Sequence, residues 1–213
     1  MNKISNGVKN NNYQNNNKKS AIVMIFVALF VMFVGWALYR SSNSPTSGNQ
    51  TATTGDFNNL VGKPMPSVQL FDKDGKSYSL DSLKGKNVVL FFNEGIMCYP
   101  ACWNQVAQLG TDSRFNNQDT IAFSVVTDQP SQWQEALTKM PDLAKATILF
   151  DQGGNASRQF GLLNVASSMH KGANPGHSYV VLDKQGVVRF VYDDPNMAIN
   201  NDMISQKIAG LNK

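Results

Sequence analysis

An unbroken apolar stretch near the N-terminus is the first feature of the hydrophobic pattern. Residues 20–39 (SAIVMIFVALFVMFVGWALY) contain no charged side chain, and about twenty residues in a helix extend about 30 Å, the thickness of a bilayer's hydrocarbon core. Lys18 and Lys19 precede the stretch and Arg40 follows it. The stretch therefore predicts one transmembrane helix; a cleaved signal peptide and a buried core helix are the alternatives.

Polar segments flank this stretch and complete the predicted organisation. Residues 1–19 are rich in asparagine and predict a disordered tail. Residues 40–56 are rich in Ser, Thr, Asn and Gly and predict a flexible linker, which leaves 57–213 as the folded domain. Four lysines precede the span and one arginine follows it. The positive-inside rule thus predicts a single-pass protein of the cell membrane, with a cytoplasmic tail and an extracytoplasmic domain.

Apolar runs alternate with amphipathic segments through the predicted domain. Continuous apolar runs such as NVVLFFN predict strands that are buried on both faces. Two of the strand pairs are separated by short turns that contain glycine, DKDG and KQG, which predict hairpins. The predicted strands are 68–71, 77–80, 87–93, 121–127, 147–150, 179–183 and 187–192, and the predicted helices are 98–109, 131–140, 156–160 and 200–211. This order predicts an α/β fold with a mixed central sheet.

Composition and charge narrow the possible functions. Hydrophobic residues make up 42% of the 213 residues, enough for a sizeable core, and two cysteines are too few for a four-cysteine metal module. The net charge of +4 has a local origin: five of the 19 Lys and Arg lie in residues 1–40, which contain no acid, so 14 remain against 15 acids. The domain is nearly neutral, and no nucleic-acid partner is expected.

The two cysteines, Cys98 and Cys102, lie in the segment GIMCYPACW directly after the predicted strand 87–93. A helix that begins there directs its positive end at the first cysteine and stabilises a thiolate. Residues four apart on one helix have Cα atoms about 6 Å apart, within the range that a disulfide spans. The pair therefore predicts redox chemistry, with two buried cysteines of purely structural role as the alternative.

Three segments, VVLFFNEGIMCYPACWNQVAQL, FDQGGNASRQFGLL and GHSYVVLDKQGVVRFVY, carry a family resemblance. They resemble the redoxins, which comprise the alkyl hydroperoxide reductase/thiol-specific antioxidant group and its membrane-tethered thiol–disulfide relatives. The resemblance covers about residues 60–195 and implies a thioredoxin-like three-layer sandwich. It implies an oxidoreductase in which Cys98 attacks a partner and Cys102 resolves the mixed disulfide. No organic cofactor is expected, because the dithiol holds both electrons.

The sequence departs from the patterns of these families at three points. Thioredoxins have two residues between their cysteines, and this chain has three. Peroxiredoxins have Thr or Ser three residues before the peroxide-attacking cysteine and Pro seven before, where Gly95 and Phe91 precede Cys98 here. Counted from Cys102, the same positions hold Tyr99 and Gly95. The segment Gly176–His177–Ser178 stands where thioredoxins have a cis-proline.

His177 leaves three interpretations open. In the first, His177 faces the cysteines of a thiol–disulfide oxidoreductase that acts on protein thiols or disulfides, or of a thiol peroxidase that acts on small peroxides. In the second, Cys98, Cys102 and His177 resemble the copper ligands of Sco-type proteins; Met97 is then the methionine placed to assist. In the third, His177 is a surface or hydrogen-bonding histidine outside the chemistry.

The sequence also leads to predictions for three further residues. His170 is expected to be exposed. Glu94 is expected to be a loop carboxylate at the surface or a proton acceptor for the second thiol. Arg158 is expected to face solvent rather than a thiolate.

Overall fold

The structure is a computed structural model that describes residues 29–30, 32–34 and 56–211. It consists of two compact units, Met1–Gln50 and Thr51–Lys213. The described residues of the first unit are helical. Among the residues that the structure describes, no helix combines the length and the apolar character needed to cross a membrane. The predicted tail 1–19, most of the predicted span 20–39 and nearly all of the linker 40–56 lie outside the described residues, so these three stay predictions.

Seven strands of the second unit form one sheet, and they correspond to the seven predicted strands to within two residues. The strands are β1 (Gln69–Phe71), β2 (Ser77–Ser79), β3 (Asn87–Phe92), β4 (Thr120–Val126), β5 (Ile148–Phe150), β6 (Ser178–Leu182) and β7 (Val188–Asp193). Their order in space is β2-β1-β5-β4-β3-β6-β7. The central strands β3, β4 and β5 are parallel, whereas the two predicted hairpins, β1/β2 and β6/β7, are antiparallel. The prediction of a mixed sheet is confirmed.

Four α-helices flank the sheet. They are α1 (Ala101–Thr111), α2 (Trp133–Lys139), α3 (Asn155–Gln159) and α4 (Asn201–Leu211). Helix α1 begins three residues later than predicted, because Tyr99 precedes a proline and the residue before proline disfavours helical backbone. Residues Gly95–Met97 instead form a short 3₁₀ turn, and Pro100 is the N-cap of α1. The Tyr99–Pro100 peptide bond is cis.

Strand β3 divides the core into two halves. All six of its residues are buried, and alternate side chains point to opposite faces of the sheet. Val88, Leu90 and Phe92 belong to the hydrophobic cluster on the face of the sheet that α3 covers. Val89 and Phe91 belong to a second hydrophobic cluster on the opposite face. The second cluster also contains apolar residues of α1, α2 and α4. Helices therefore cover both faces, which confirms the three-layer α/β arrangement.

The register of the sheet brings distant residues to the end of β3. Strand β6 runs antiparallel to β3 with Phe92 opposite Ser178, so His177, which comes directly before β6, lies next to the point where β3 ends. Strand β4 runs parallel to β3 with Val125 opposite Phe92, so the loop that contains Asp128 emerges at the same edge. The segment with the two cysteines begins there.

Candidate redox site

The loop that follows β3 is held by hydrogen bonds from its own side chains and from the loop after β4. The Asn93 side chain accepts a hydrogen bond from the Gly95 amide at 2.9 Å and donates to Ser124 Oγ at 2.9 Å. Asp128 accepts from the Ile96 amide at 3.0 Å, and burial raises the pKa of its carboxyl group. Gly95 has φ +64, and a Cβ atom there would lie 1.7 Å from Asp128 Oδ2. The turn therefore requires glycine at position 95.

Cys98 and Cys102 form a disulfide, with their Cα atoms 5.3 Å apart. Cys98 lies before α1, and Cys102 is the second residue of that helix. The attacking role that the resemblance implies for Cys98 favours a greater exposure than that of Cys102. The difference is small, because Cys98 is 3% exposed and Cys102 is 1% exposed. The disulfide is thus enclosed by the protein, although Tyr99 between the two cysteines is exposed.

His177 lies directly beside the disulfide. Its ring has no exposed surface, and Nδ1 lies 3.6 Å from Cys102 Sγ. The other ring nitrogen, Nε2, lies 3.2 Å from the Ala198 carbonyl oxygen and 3.0 Å from the Tyr179 hydroxyl. A carbonyl oxygen only accepts hydrogen bonds, so this contact assigns the proton to Nε2. Nδ1 then presents a lone pair to Cys102.

Burial sets the protonation of this histidine. Desolvation lowers the pKa of His177 to about 4, although the Ala198 carbonyl and the charge of Asp194 oppose the decrease. Burial likewise raises the pKa of Tyr179 above its ordinary value. Both rings are therefore neutral near pH 7. Phe91 adds apolar surface, with its ring centroid 4.6 Å from that of His177.

Met197, in the segment between β7 and α4, covers the other cysteine. Its Sδ atom lies 3.9 Å from Cys98 Sγ. Its backbone has φ 51, a left-handed conformation that is uncommon for a residue other than glycine. Asp194 fixes this segment, because its carboxylate accepts hydrogen bonds from the Asn196 and Ala198 amides at 3.0 and 2.8 Å. The expectation for Met97 was wrong: its side chain is 57% exposed, and the sulfur that contacts Cys98 belongs to Met197.

The three residues that the sequence singled out meet in space. The ligand atoms of Cys98, Cys102 and His177 all lie within 4.8 Å of one another, and all three residues are buried. Opening the disulfide by two-electron reduction converts this cluster into two thiols and one imidazole. Such a set can exchange disulfides or bind a soft metal ion.

Glu94 and Arg158 lie outside this cluster. Glu94 is 2% exposed, so the expectation of a surface carboxylate was wrong. It accepts hydrogen bonds from the Met169 and His170 amides at 2.6 and 2.9 Å, and its other oxygen lies 3.1 Å from His170 Nδ1. The His170 side chain is 42% exposed, in agreement with the expectation. Arg158 donates to the Gly153 carbonyl oxygen at 2.8 Å.

Sequence reasoning missed Met197, Tyr179 and Asp194. No local pattern marks Met197, which contacts a cysteine 99 residues away. Tyr179 lies on a strand that was predicted, two residues after His177 and therefore on the same face of the sheet. That spacing was the one signal in the sequence that places a hydroxyl group beside the histidine.

Comparisons with known proteins agree with this fold. The model of the Redoxin family matches residues 60–203. The chloroplastic peroxiredoxin Q of Populus jackii is 32% identical over 134 residues, which are 62% of this chain and 60% of that protein. The chloroplastic peroxiredoxin Q of Triticum aestivum is 30% identical over 154 residues, 71% of this chain and 68% of that protein.

A solved structure supports the fold. The crystal structure of a peroxiredoxin-like protein from Aquifex aeolicus has a TM-score of 0.59 and 18% identity, and the match covers 71% of this chain and 86% of that one. This likeness shows the thioredoxin-like fold that the resemblance implied. The family model covers well over half of the chain, and the protein belongs to the Redoxin family.

Proposed function

We propose that the protein is a thiol–disulfide oxidoreductase in which Cys98 and Cys102 alternate between disulfide and dithiol. The observation that carries this proposal is the Cys98–Cys102 disulfide with the unprotonated Nδ1 of His177 3.6 Å from Cys102. Membership of the Redoxin family supports the same class of enzyme. No organic cofactor takes part, because the dithiol holds both electrons.

The reaction begins with the dithiol. The Cys98 thiolate attacks a partner disulfide, so that a bond forms between Cys98 and one partner sulfur and the other partner sulfur leaves as a thiolate. Cys102 then attacks Cys98, the mixed disulfide breaks, and the second partner thiolate leaves. The enzyme ends oxidised and the partner ends reduced by two electrons. The reverse sequence oxidises a partner dithiol.

His177 acts in the second step. Cys102 must lose its proton to attack, and the lone pair on His177 Nδ1 accepts it. Burial lowers the pKa of His177, so this residue is a weak base and passes the proton on to solvent, which protonates the departing partner thiolate. General base catalysis contributes about 10²–10⁴-fold to a rate when the pKa of the base lies near the working pH, and a base this weak contributes at the lower end of that range or below it. We expect His177→Gln to slow disulfide closure by at most about 10²-fold and to leave the first attack by Cys98 unchanged.

Titration of the full chain against mixtures of reduced and oxidised dithiothreitol tests the pair. Free thiols are counted by the mass added with a maleimide reagent. We expect both thiols to appear together in one two-electron transition. Two separate midpoints, or thiols that do not re-form the disulfide, would contradict the proposal.

Single-cysteine variants test the roles of the two sulfurs. With oxidised glutathione as the probe, Cys102→Ser should retain glutathione on Cys98 as a stable mixed disulfide, because the resolving thiol is missing. Cys98→Ser is the matched control and should react more slowly, because Cys102 is the less exposed of two nearly enclosed sulfurs. Equal labelling of the two variants would refute the assignment of Cys98 as the attacking cysteine.

A thiol peroxidase is the second candidate, favoured by the identity of 30–32% with proteins named peroxiredoxin Q. The Cys98 thiolate then attacks a peroxide, the O–O bond breaks, and Cys98 becomes a sulfenic acid while water or an alcohol leaves. Cys102 condenses with the sulfenic acid to give the disulfide and water. Stopped-flow mixing of the dithiol with hydrogen peroxide distinguishes the candidates. A rate equal to that of free cysteine would exclude the peroxidase.

We also propose that residues 20–39 anchor the chain in the cell membrane and that the redox domain lies outside it. The support is the uncharged stretch with its flanking lysines. In cells that express the full chain, the protein should stay in the membrane fraction after alkaline carbonate extraction. A membrane-impermeant maleimide should label the reduced cysteines without lysis. Release by carbonate, or labelling only after lysis, would contradict this proposal.

A further inference from the structure

We infer that reduction of the disulfide creates a binding site for a monovalent copper ion, with Met197 as a fourth donor beside Cys98, Cys102 and His177. This inference rests on the dithiol state that the proposed function uses. Two cysteine sulfurs, one imidazole nitrogen and one methionine sulfur converge here from three parts of the chain. Met197 is the donor that neither the sequence pattern nor the family match brings to this site.

The separations of the donors fit a four-coordinate ion. Bonds of about 2.0–2.3 Å to nitrogen and sulfur in a tetrahedral arrangement put neighbouring donors roughly 3.3–3.8 Å apart. Cys102 Sγ and His177 Nδ1 are 3.6 Å apart, and Cys98 Sγ and Met197 Sδ are 3.9 Å apart. The disulfide bond holds the two Sγ atoms too close for this geometry. Reduction removes that constraint and lets the thiolates separate around an ion.

The identities of the donors select the metal. Zinc sites in proteins use thiolate, imidazole and carboxylate ligands, whereas thioether sulfur together with thiolate favours monovalent copper. The described residues near the cluster also disfavour a hard cation, because the Asp194 carboxylate is engaged by the amides of its own loop. The lone pair of His177 Nδ1 is available because the Ala198 carbonyl fixes the proton on Nε2.

Charge balance links copper binding to the redox state. Two thiols lose two protons to solvent, and the resulting thiolates with one monovalent copper leave the site with a single negative charge. Cys102 lies in the first turn of α1, where the positive end of the helix stabilises that charge. Oxidation to the disulfide removes both thiolates. Copper binding and the disulfide are therefore mutually exclusive, and copper should hold the pair in the dithiol state.

Competition with bicinchoninate, a chromophoric chelator of monovalent copper, tests the inference on the full chain. The protein is reduced with a phosphine, freed of reductant under nitrogen and titrated with the copper–bicinchoninate complex. We expect the dithiol to bind one copper ion and the disulfide form to bind none. Met197→Leu should weaken the affinity for copper by roughly 10–100-fold, as loss of a metal-site contact does. Its affinity for zinc should not change.

Met97→Leu is the matched control, because Met97 is next to Cys98 in sequence but exposed. It should bind copper like the unmodified protein. Equal copper affinity for Met197→Leu and the unmodified protein would remove Met197 from the site, and copper binding by the disulfide form would overturn the whole inference. The dithiothreitol titration of Met197→Leu separates the two proposals: a normal two-electron transition with unchanged copper affinity refutes the copper site alone.

Discussion

Acidification should destabilise the oxidised protein through His177. The pKa of this residue is about 4 in the folded protein against an ordinary value of 6.5, so the unfolded chain binds the proton more readily. Above pH 6.5 the histidine is neutral in both states and its contribution is fully present. It is lost as the pH falls from 6.5 to 4, and at about 1.4 kcal/mol for each pKa unit the loss reaches about 3 kcal/mol.

Urea unfolding of the disulfide form, followed by circular dichroism at intervals between pH 4 and 7.5, measures this loss. Carboxylates also titrate near pH 4, the lower end of this range. The comparison is therefore with His177→Gln, which retains every carboxylate. As the pH falls, the free energy of unfolding should decrease more steeply for the unmodified protein than for His177→Gln, by up to about 1.4 kcal/mol per pH unit. His170→Gln is the control for the removal of a histidine. Parallel profiles for the unmodified protein and His177→Gln would refute the reasoning.

Two further substitutions test the loop that carries the cysteines. Gly95→Ala should lower the free energy of unfolding by about 2–5 kcal/mol, because the added Cβ atom overlaps Asp128 and φ is positive at this position. The control is Gly62→Ala, where φ is also positive but the space is open, and it should lower the free energy of unfolding by only about 1–2 kcal/mol. Equal losses in urea unfolding would contradict the role of the overlap. Glu94→Gln should speed hydrogen exchange of the two loop amides that donate to it by roughly tenfold, since weakening these bonds costs about 1–3 kcal/mol. Unchanged exchange would show that the carboxylate does not hold the loop.

The sheet could be predicted because its signals are local. The run NVVLFF is apolar on both faces, and that pattern suits a strand covered by helices on both sides. Each hairpin is marked by a glycine with positive φ, Gly75 and Gly186. Helix α1 was misplaced at its start because the prediction followed the helical spacing of the cysteines and gave too little weight to Pro100.

The surroundings of the cysteines were harder to predict, because they depend on contacts between distant segments. Glu94 is an ordinary surface residue by its chemistry, and it is buried here because the amides of Met169 and His170 meet its carboxylate. Met197 reaches Cys98 only after β7 has paired with β6 and Asp194 has turned the chain. The position of His177 was foreseen from the resemblance, whereas its tautomer follows from the Ala198 carbonyl oxygen, which no sequence pattern marks.

The distance along the chain between Cys98 and Met197 has a consequence for the order of events during synthesis. Met197 follows Cys98 by 99 residues, and ribosomes add about 5–20 residues per second. Both thiols of the nascent chain are therefore complete roughly 5–20 s before the residue that covers Cys98 exists. During that interval the pair lacks the cover that Met197 provides in the folded protein. Completion of the C-terminal segment ends this exposure and encloses whichever redox state has formed.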